Sequence, residues 1–130
     1  MNEPRLFDSW LTRAKSSLAH AKEVSDDNEV CYEDLCYDCQ QAAEKAIKAI
    51  LIFYQIQFPK THNIGYLLDL LSSEGIDIPD DIFKSAKLTD YAVTTRYPGY
   101  YEPVTNDEYL EAYHLATLAV DWVSSELTTN

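Results

Sequence analysis

One loop, from Thr94 to Pro103, combines side chains that could bind a nucleotide. It places Arg96 beside three tyrosines, Tyr97, Tyr100 and Tyr101. An arginine flanked by aromatic rings can hold a phosphate with its planar guanidinium and stack a base. In a second interpretation, the tyrosines cover one end of the folded core and Arg96 pairs with one of the many acidic residues. Residue types alone favour this second interpretation.

A second polar segment of interest spans residues 60–63. His62 lies there between Lys60, Thr61 and Asn63, immediately before a predicted helix. Thr61 or Asn63 can cap that helix, since a side-chain oxygen at this position accepts a backbone N–H of the first turn. Both interpretations of His62, as a ligand contact or as a bystander in a capping loop, are open at this stage.

The cysteines and the remaining histidines do not predict a metal site. Cys31, Cys36 and Cys39 reproduce part of a plant-type iron–sulfur spacing, but the fourth cysteine is missing. Cys36 and Cys39 share one face of a predicted helix, which favours small buried residues. His20 and His114 have no second histidine at metal-binding helical spacing. We therefore expect no metal, no cofactor and no disulfide framework.

Length and charge limit the classes of protein. A chain of 130 residues predicts a single domain, residues 1–130. Ten Lys and Arg against 22 Asp and Glu give a net charge of −12, which argues against binding nucleic acid by phosphate neutralisation alone. No signal peptide is visible, and the longest apolar stretch, Ala49 to Tyr54, is too short for a membrane span. We expect a soluble cytoplasmic protein.

Hydrophobic periodicity and a low content of Gly and Pro predict five helices. The last of them starts at a capping box formed by Thr105 and Glu108. The predicted helices run from Pro4 to Val24, Glu29 to Gln57, Ile64 to Ser73, Pro79 to about Tyr91, and from that capping box to about Leu127.

Several of these segments, in this order and spacing, resemble the HEPN domain family (higher eukaryotes and prokaryotes nucleotide-binding). The resemblance covers essentially the whole chain. It is carried by Trp10-Leu11 with Ala14, the run from Gln40 to Ala49, Pro59-Lys60-Thr61-His62, Tyr91 with Thr95-Arg96-Tyr97-Pro98, and Trp122-Val123.

The resemblance implies an all-α, five-helix domain, up-and-down and four-helix-bundle-like, similar to the helical domain of nucleotidyltransferases. It also implies a nucleotide- or substrate-binding partner of a separately encoded minimal nucleotidyltransferase, in a toxin–antitoxin-like pair and as a homodimer. Arg96, Tyr97, Lys60 and His62 would be the polar contacts, and ATP is a possible ligand.

Two alternatives follow from the same resemblance. Many members of the family are metal-independent ribonucleases that use an Arg followed four to six residues later by His. Here Tyr100, Tyr101 and Glu102 follow Arg96 at those positions, so the motif is degenerate. We assign no catalytic residue and do not expect RNA as a ligand. Alternatively, the partner transfers AMP to Tyr100 or Tyr101.

Overall fold

The computed structural model describes residues 5–22, 30–92 and 103–129. Within these ranges the chain forms five α-helices and one 3₁₀ segment, with no β-strand. The all-α prediction is confirmed. The elements are α1 (Leu6–Lys22), α2 (Tyr32–Phe53), α3 (Ile64–Ser73), α4 (Asp80–Phe83), the 3₁₀ segment (Lys84–Ala92) and α5 (Asn106–Thr129).

Helix α2 is the central element of this helical bundle. It packs against α1, α3, the 3₁₀ segment and α5, while α1 and α5 also contact each other. Ala42, Ala43, Ala46 and Ala49 are fully buried along α2. Their small side chains allow neighbouring helices to approach closely, and alanine is also the strongest helix former. No helix in the described part of the chain has the length and apolarity that a membrane span requires.

Helices α1 and α5 direct apolar side chains into the core. Leu11, Ala14 and Ala21 of α1 are buried, as is Tyr109 at the start of α5. The hydroxyl of Tyr109 donates a hydrogen bond to the carbonyl oxygen of Ala21 at 2.6 Å. This bond joins the start of α5 to the end of α1.

Two of the predicted helix caps are present. Asn63 Oδ1 accepts the backbone N–H of Tyr66 at 3.0 Å, which caps α3. At α5, the Glu108 N–H donates to Thr105 Oγ1 at 3.1 Å and the Thr105 N–H donates to Glu108 Oε1 at 3.3 Å. These reciprocal bonds satisfy two backbone donors that the helix itself cannot pair.

Helix α2 ends earlier than the sequence predicts, at Phe53 rather than Gln57. Gln55 adopts a left-handed backbone conformation with φ of 59°. The Gln55 N–H then donates to the carbonyl oxygen of Ile52 at 3.0 Å, and the Ile56 N–H donates to that of Leu51 at 2.9 Å. This pair of bonds is a Schellman motif, which normally places glycine at the left-handed position.

Because a non-glycine residue occupies this position, Gln55→Gly is expected to stabilise the protein by about 0.5–1 kcal/mol. The left-handed conformation strains a residue that carries a Cβ, whereas glycine adopts it freely. Chemical denaturation measures the change in the free energy of unfolding. Gly75 follows α3 with φ of 84° and provides the matched control, since Gly75→Ala should destabilise. A loss of stability in the Gln55→Gly variant would contradict the assignment of strain.

The fourth predicted helix is only partly α-helical. The α-helix ends at Phe83, and residues 84–92 continue as a 3₁₀ segment. Ser85 is fully buried and its hydroxyl donates to the carbonyl oxygen of Ile82 at 2.6 Å. A 3₁₀ segment aligns residues at a spacing of three, which brings buried Ser85 and Leu88 to one side with half-buried Tyr91. Side-chain bonding to the backbone and this alignment explain the departure from α-helix.

Candidate ligand-binding cleft

A cleft of about 570 Å³ opens between α1, the middle of α2 and the segment that leads to α3. This volume lies within the range of small-molecule sites, roughly 300–1,000 Å³. Helix α1 contributes an aromatic and a basic side chain, α2 contributes four polar side chains, and residues 58–62 form the remaining wall. The lining residues are Trp10, Arg13, Gln41, Glu44, Lys45, Lys48, Phe58, Pro59, Lys60, Thr61 and His62.

A buried carboxylate, Glu44, forms the floor of the cleft. Glu44 Oε1 accepts hydrogen bonds from Gln40 Nε2 at 2.8 Å and from His62 Nδ1 at 2.9 Å. Glu44 Oε2 accepts from Lys48 Nζ at 2.9 Å. Three donors therefore occupy both oxygens of the carboxylate, and a buried charge is tolerated only with such pairing.

The hydrogen bonds at this floor keep Glu44 ionised. Burial by itself would raise the pKa of Glu44, because it penalises the charged form. The hydrogen bonds from Lys48, Gln40 and His62, with the charge of Lys48, outweigh burial and hold the pKa below its ordinary value. Glu44 is therefore a carboxylate at neutral pH.

The imidazole of His62 takes its orientation from Glu44. Because a carboxylate oxygen only accepts hydrogen bonds, the hydrogen of this ring must lie on Nδ1. The other nitrogen, Nε2, makes no hydrogen bond to any residue in the described ranges, and the side chain is 66% exposed. Nε2 is thus available to accept a hydrogen bond in the neutral ring or to donate one in the protonated ring.

The loop that carries His62 is also held to α2 through Gln40. Gln40 Nε2 lies 3.4 Å from the main-chain carbonyl oxygen of His62, and Gln40 Oε1 accepts from Gln41 Nε2 at 2.8 Å. Gln40 is fully buried, so these bonds satisfy polar atoms that have no access to water. The position of His62 is therefore fixed by both its main chain and its side chain.

Two aromatic rings flank the ammonium of Lys48. Its Nζ lies 5.8 Å from the ring centroid of Trp10 and 5.8 Å from that of Phe58. Both distances allow a cation–π attraction, which is strengthened when water is excluded. This arrangement anchors the two rings at the wall of the cleft.

The cleft concentrates positive charge on an acidic protein. Among the described residues, four basic side chains line it, Arg13, Lys45, Lys48 and Lys60, and one acidic side chain, Glu44. Lys48 pairs with that single acid, whereas Arg13 and Lys60 are exposed and form no ion pair with any residue that the structure describes. A concave cationic surface of this kind attracts anionic ligands.

The structure brings together two of the residues predicted from the sequence, Lys60 and His62. Arg96 and Tyr97, and the two tyrosines considered for modification, Tyr100 and Tyr101, lie outside the described residues. Their places in the site therefore stay predictions.

Sequence reasoning misses the floor of the cleft. A signal is present, because Gln40, Glu44 and Lys48 recur at intervals of four and so form one polar stripe on the predicted central helix. Propensity alone marks this segment only as a run of strong helix formers. Periodicity likewise assigns Trp10 to the core and Arg13 to the outer face of the first helix. It does not predict that both residues line the same cleft as His62.

Cys36 and Cys39 are placed as expected for small residues of the core. Cys36 and Cys39 are buried, and Cys31 is exposed. Burial raises the pKa of the Cys36 thiol to about 12 and also raises that of Cys39, so neither is a thiolate nucleophile at neutral pH. No cluster of three or more His, Cys, Asp or Glu side chains with metal-binding geometry occurs among the described residues.

The fold and the cleft define a class of protein: a helical bundle with an aromatic-lined, cationic cleft at its central helix. The profile of the HEPN domain family matches residues 7–126. The chain therefore belongs to the HEPN domain family. Comparison with curated protein sequences finds no match.

Three solved structures are similar over nearly the whole chain. TT1696 from Thermus thermophilus is 34% identical, with a TM-score of 0.74, and the match covers 92% of this chain and 96% of that chain. ST0689, described as an archaeal HEPN homologue, is 28% identical, with a TM-score of 0.73 and coverage of 95% and 98%. A HEPN domain protein (tm0613) from Thermotoga maritima is 26% identical, with a TM-score of 0.58 and coverage of 94% and 93%.

Proposed function

We propose that this protein is the nucleotide- or substrate-binding partner of a separately encoded minimal nucleotidyltransferase, in a toxin–antitoxin-like pair. The observation that carries the proposal is the cleft, where four basic side chains and two aromatic rings converge on a protein of net charge −12. Membership of the HEPN domain family supports the same conclusion.

In the proposed complex, the phosphates of a nucleotide lie against the basic rim of the cleft. Arg13, Lys45 and Lys60 supply charge-assisted donors, and an arginine fork matches phosphate geometry well. His62 offers Nε2 as a further polar contact. The base packs near Trp10 and Phe58, because every base has a face that can stack on an aromatic ring.

Two residues outside the described ranges belong to the same proposal. Arg96 would add a phosphate contact and Tyr97 would stack or donate a hydrogen bond, as the family resemblance implies. The pair would act in the cytoplasm, where three free cysteines remain reduced.

Calorimetry tests nucleotide binding directly. ATP and other nucleotides are titrated into the protein alone and into its mixture with the product of the neighbouring gene. We expect binding in at least one of these two states, and no heat of binding in either would overturn the proposal. A neighbouring reading frame with the Gly-Ser and paired-Asp signature of a minimal nucleotidyltransferase would support the partner assignment.

The same preparations separate the alternatives. An increase in intact mass by one AMP after incubation with the partner and ATP would favour modification at Tyr100 or Tyr101. RNA cleavage that is lost in Arg96→Ala would favour the ribonuclease. We propose a homodimer, so light scattering across a dilution series should report twice the mass of one chain, and a constant monomer mass would contradict it.

A further inference from the structure

The described lining of the cleft offers a phosphorylated ligand several cationic donors, whereas its one carboxylate is already paired with Lys48. Nucleoside di- and triphosphates exist in two forms, the free anion and the Mg²⁺ complex. A site for the Mg²⁺ complex usually supplies one or two carboxylates that share the cation with the phosphates. A site for the free anion instead supplies cationic donors to the phosphate oxygens.

Among the described residues, the one carboxylate that lines the cleft already accepts hydrogen bonds on both of its oxygens. Both oxygens of Glu44 are occupied by the three donors already described, from Gln40, His62 and Lys48. The carboxylate is also buried, with 5% of its side chain exposed. Binding of Mg²⁺ there would break a buried ion pair, and no other acidic side chain of the described residues lines the cleft.

The remaining charges of the cleft repel a cation. Arg13 and Lys60 add two positive charges that form no ion pair with the described residues. Lys45 adds a third charge, part of which acts on the carboxyl of Asp38 outside the cleft. Water partly screens the exposed charges of Arg13 and Lys60, and their remaining effect on Mg²⁺ is repulsive. Mg²⁺ on the phosphates would also take the oxygens to which the basic side chains donate.

From this donor set we infer that the cleft binds its di- or triphosphate ligand as the metal-free anion. Mg²⁺ then weakens binding and does not link the phosphates to the protein. The inference rests on the proposed nucleotide-binding function and specifies the chemical form of its ligand.

Calorimetry with ATP in EDTA and in excess Mg²⁺, at matched ionic strength, tests the inference. We expect the dissociation constant to rise at least about tenfold with Mg²⁺, since the loss of one charge-assisted hydrogen bond corresponds to roughly that factor. Inorganic tripolyphosphate, run in the same two buffers, should show the same dependence on Mg²⁺. Because tripolyphosphate has no base, its titration measures the contribution of the phosphates to affinity without stacking on the aromatic rings.

A matched pair of variants controls for Mg²⁺ held elsewhere on this acidic protein. Thr61→Asp adds a carboxylate at the cleft, and Asn106→Asp adds one at an exposed site at the start of α5, outside the cleft. Both variants change the net charge by −1. Thr61→Asp should reduce the ratio of the two dissociation constants, whereas Asn106→Asp should leave that ratio unchanged. Equal or tighter binding of ATP with Mg²⁺ to the natural protein overturns the inference alone. No binding of ATP in either buffer, both to the protein alone and to its mixture with the product of the neighbouring gene, overturns the proposed function as well.

Discussion

Glu44→Ala is expected to lower the free energy of unfolding by about 3–5 kcal/mol, the usual effect of removing one partner of a buried ion pair. The substitution leaves the ammonium of Lys48 without its partner, although only 9% of that side chain is exposed. It also deprives Gln40 and His62 of their shared acceptor. Urea denaturation followed by far-UV circular dichroism measures the loss.

Two control variants separate the effect of the Glu44 and Lys48 charges on stability from the effect of side-chain packing. Glu44→Leu combined with Lys48→Met removes both charges and should recover most of the loss, because an apolar pair of similar volume avoids the desolvation penalty. His62→Ala removes a donor whose side chain is 66% exposed, so its effect should be much smaller. Equal losses in the free energy of unfolding for Glu44→Ala and His62→Ala would mean that the buried ion pair of Glu44 and Lys48 does not stabilise the fold in this way.

The dependence on pH gives this prediction a second measurement. The pKa of Glu44 is lowered in the folded protein, so its stabilisation is present above the ordinary value of 4.5 and is lost as the pH falls through the folded-state value. Glu44→Ala has no such group. The difference in stability between the natural protein and the variant should therefore narrow in acid, and a constant difference would contradict the assignment.

Charge reversal at the rim of the cleft is expected to weaken nucleotide binding by about a hundredfold. Lys60→Glu and Arg13→Glu each remove a charge-assisted donor, an effect of roughly 1.5–3 kcal/mol, and add repulsion toward the phosphates. Both side chains are exposed and neither forms an ion pair with the described residues, so stability should change little. Calorimetry with ATP measures the dissociation constants.

Lys84→Glu is the matched control for charge reversal. It changes the net charge by the same amount, but Lys84 lies outside the cleft, where its only ion pair in the described chain is an exposed contact of 3.7 Å with Asp81. We expect its effect on affinity to be several times smaller at moderate ionic strength, because distant charges are screened. Similar losses in all three variants would mean that ATP responds to total charge and not to the cleft.

Much of the fold could be predicted from local sequence patterns. The inward faces of α1 and α5, the cap at Asn63 and the capping box at Thr105 all follow from spacing within a few residues. The end of α2 could not be predicted, because Gln55 occupies a left-handed position that usually takes glycine. Burial of Ser85 and Leu88 sets the 3₁₀ segment, and that burial depends on packing against other elements.

The candidate site was predictable only in part, for a related reason. Lys60 and His62 attract attention because they stand in a polar loop, where functional residues are common. The partners of His62 lie on α2, and its contact with Glu44 spans 18 positions of the sequence. Helical spacing places Gln40, Glu44 and Lys48 on one face, but it does not say which loop that face meets.

The buried bonds of Glu44 also determine which residues of the cleft can be exchanged without loss of the fold. The hydrogen bonds among Gln40, Glu44 and Lys48 contribute both to the stability of the fold and to the shape of the cleft. A substitution at any of them therefore alters both properties. Arg13 and Lys60 at the rim are exposed and form no ion pair with the described residues. Residues of the rim can therefore be exchanged one at a time, whereas the floor accepts only coordinated substitutions such as Glu44→Leu with Lys48→Met.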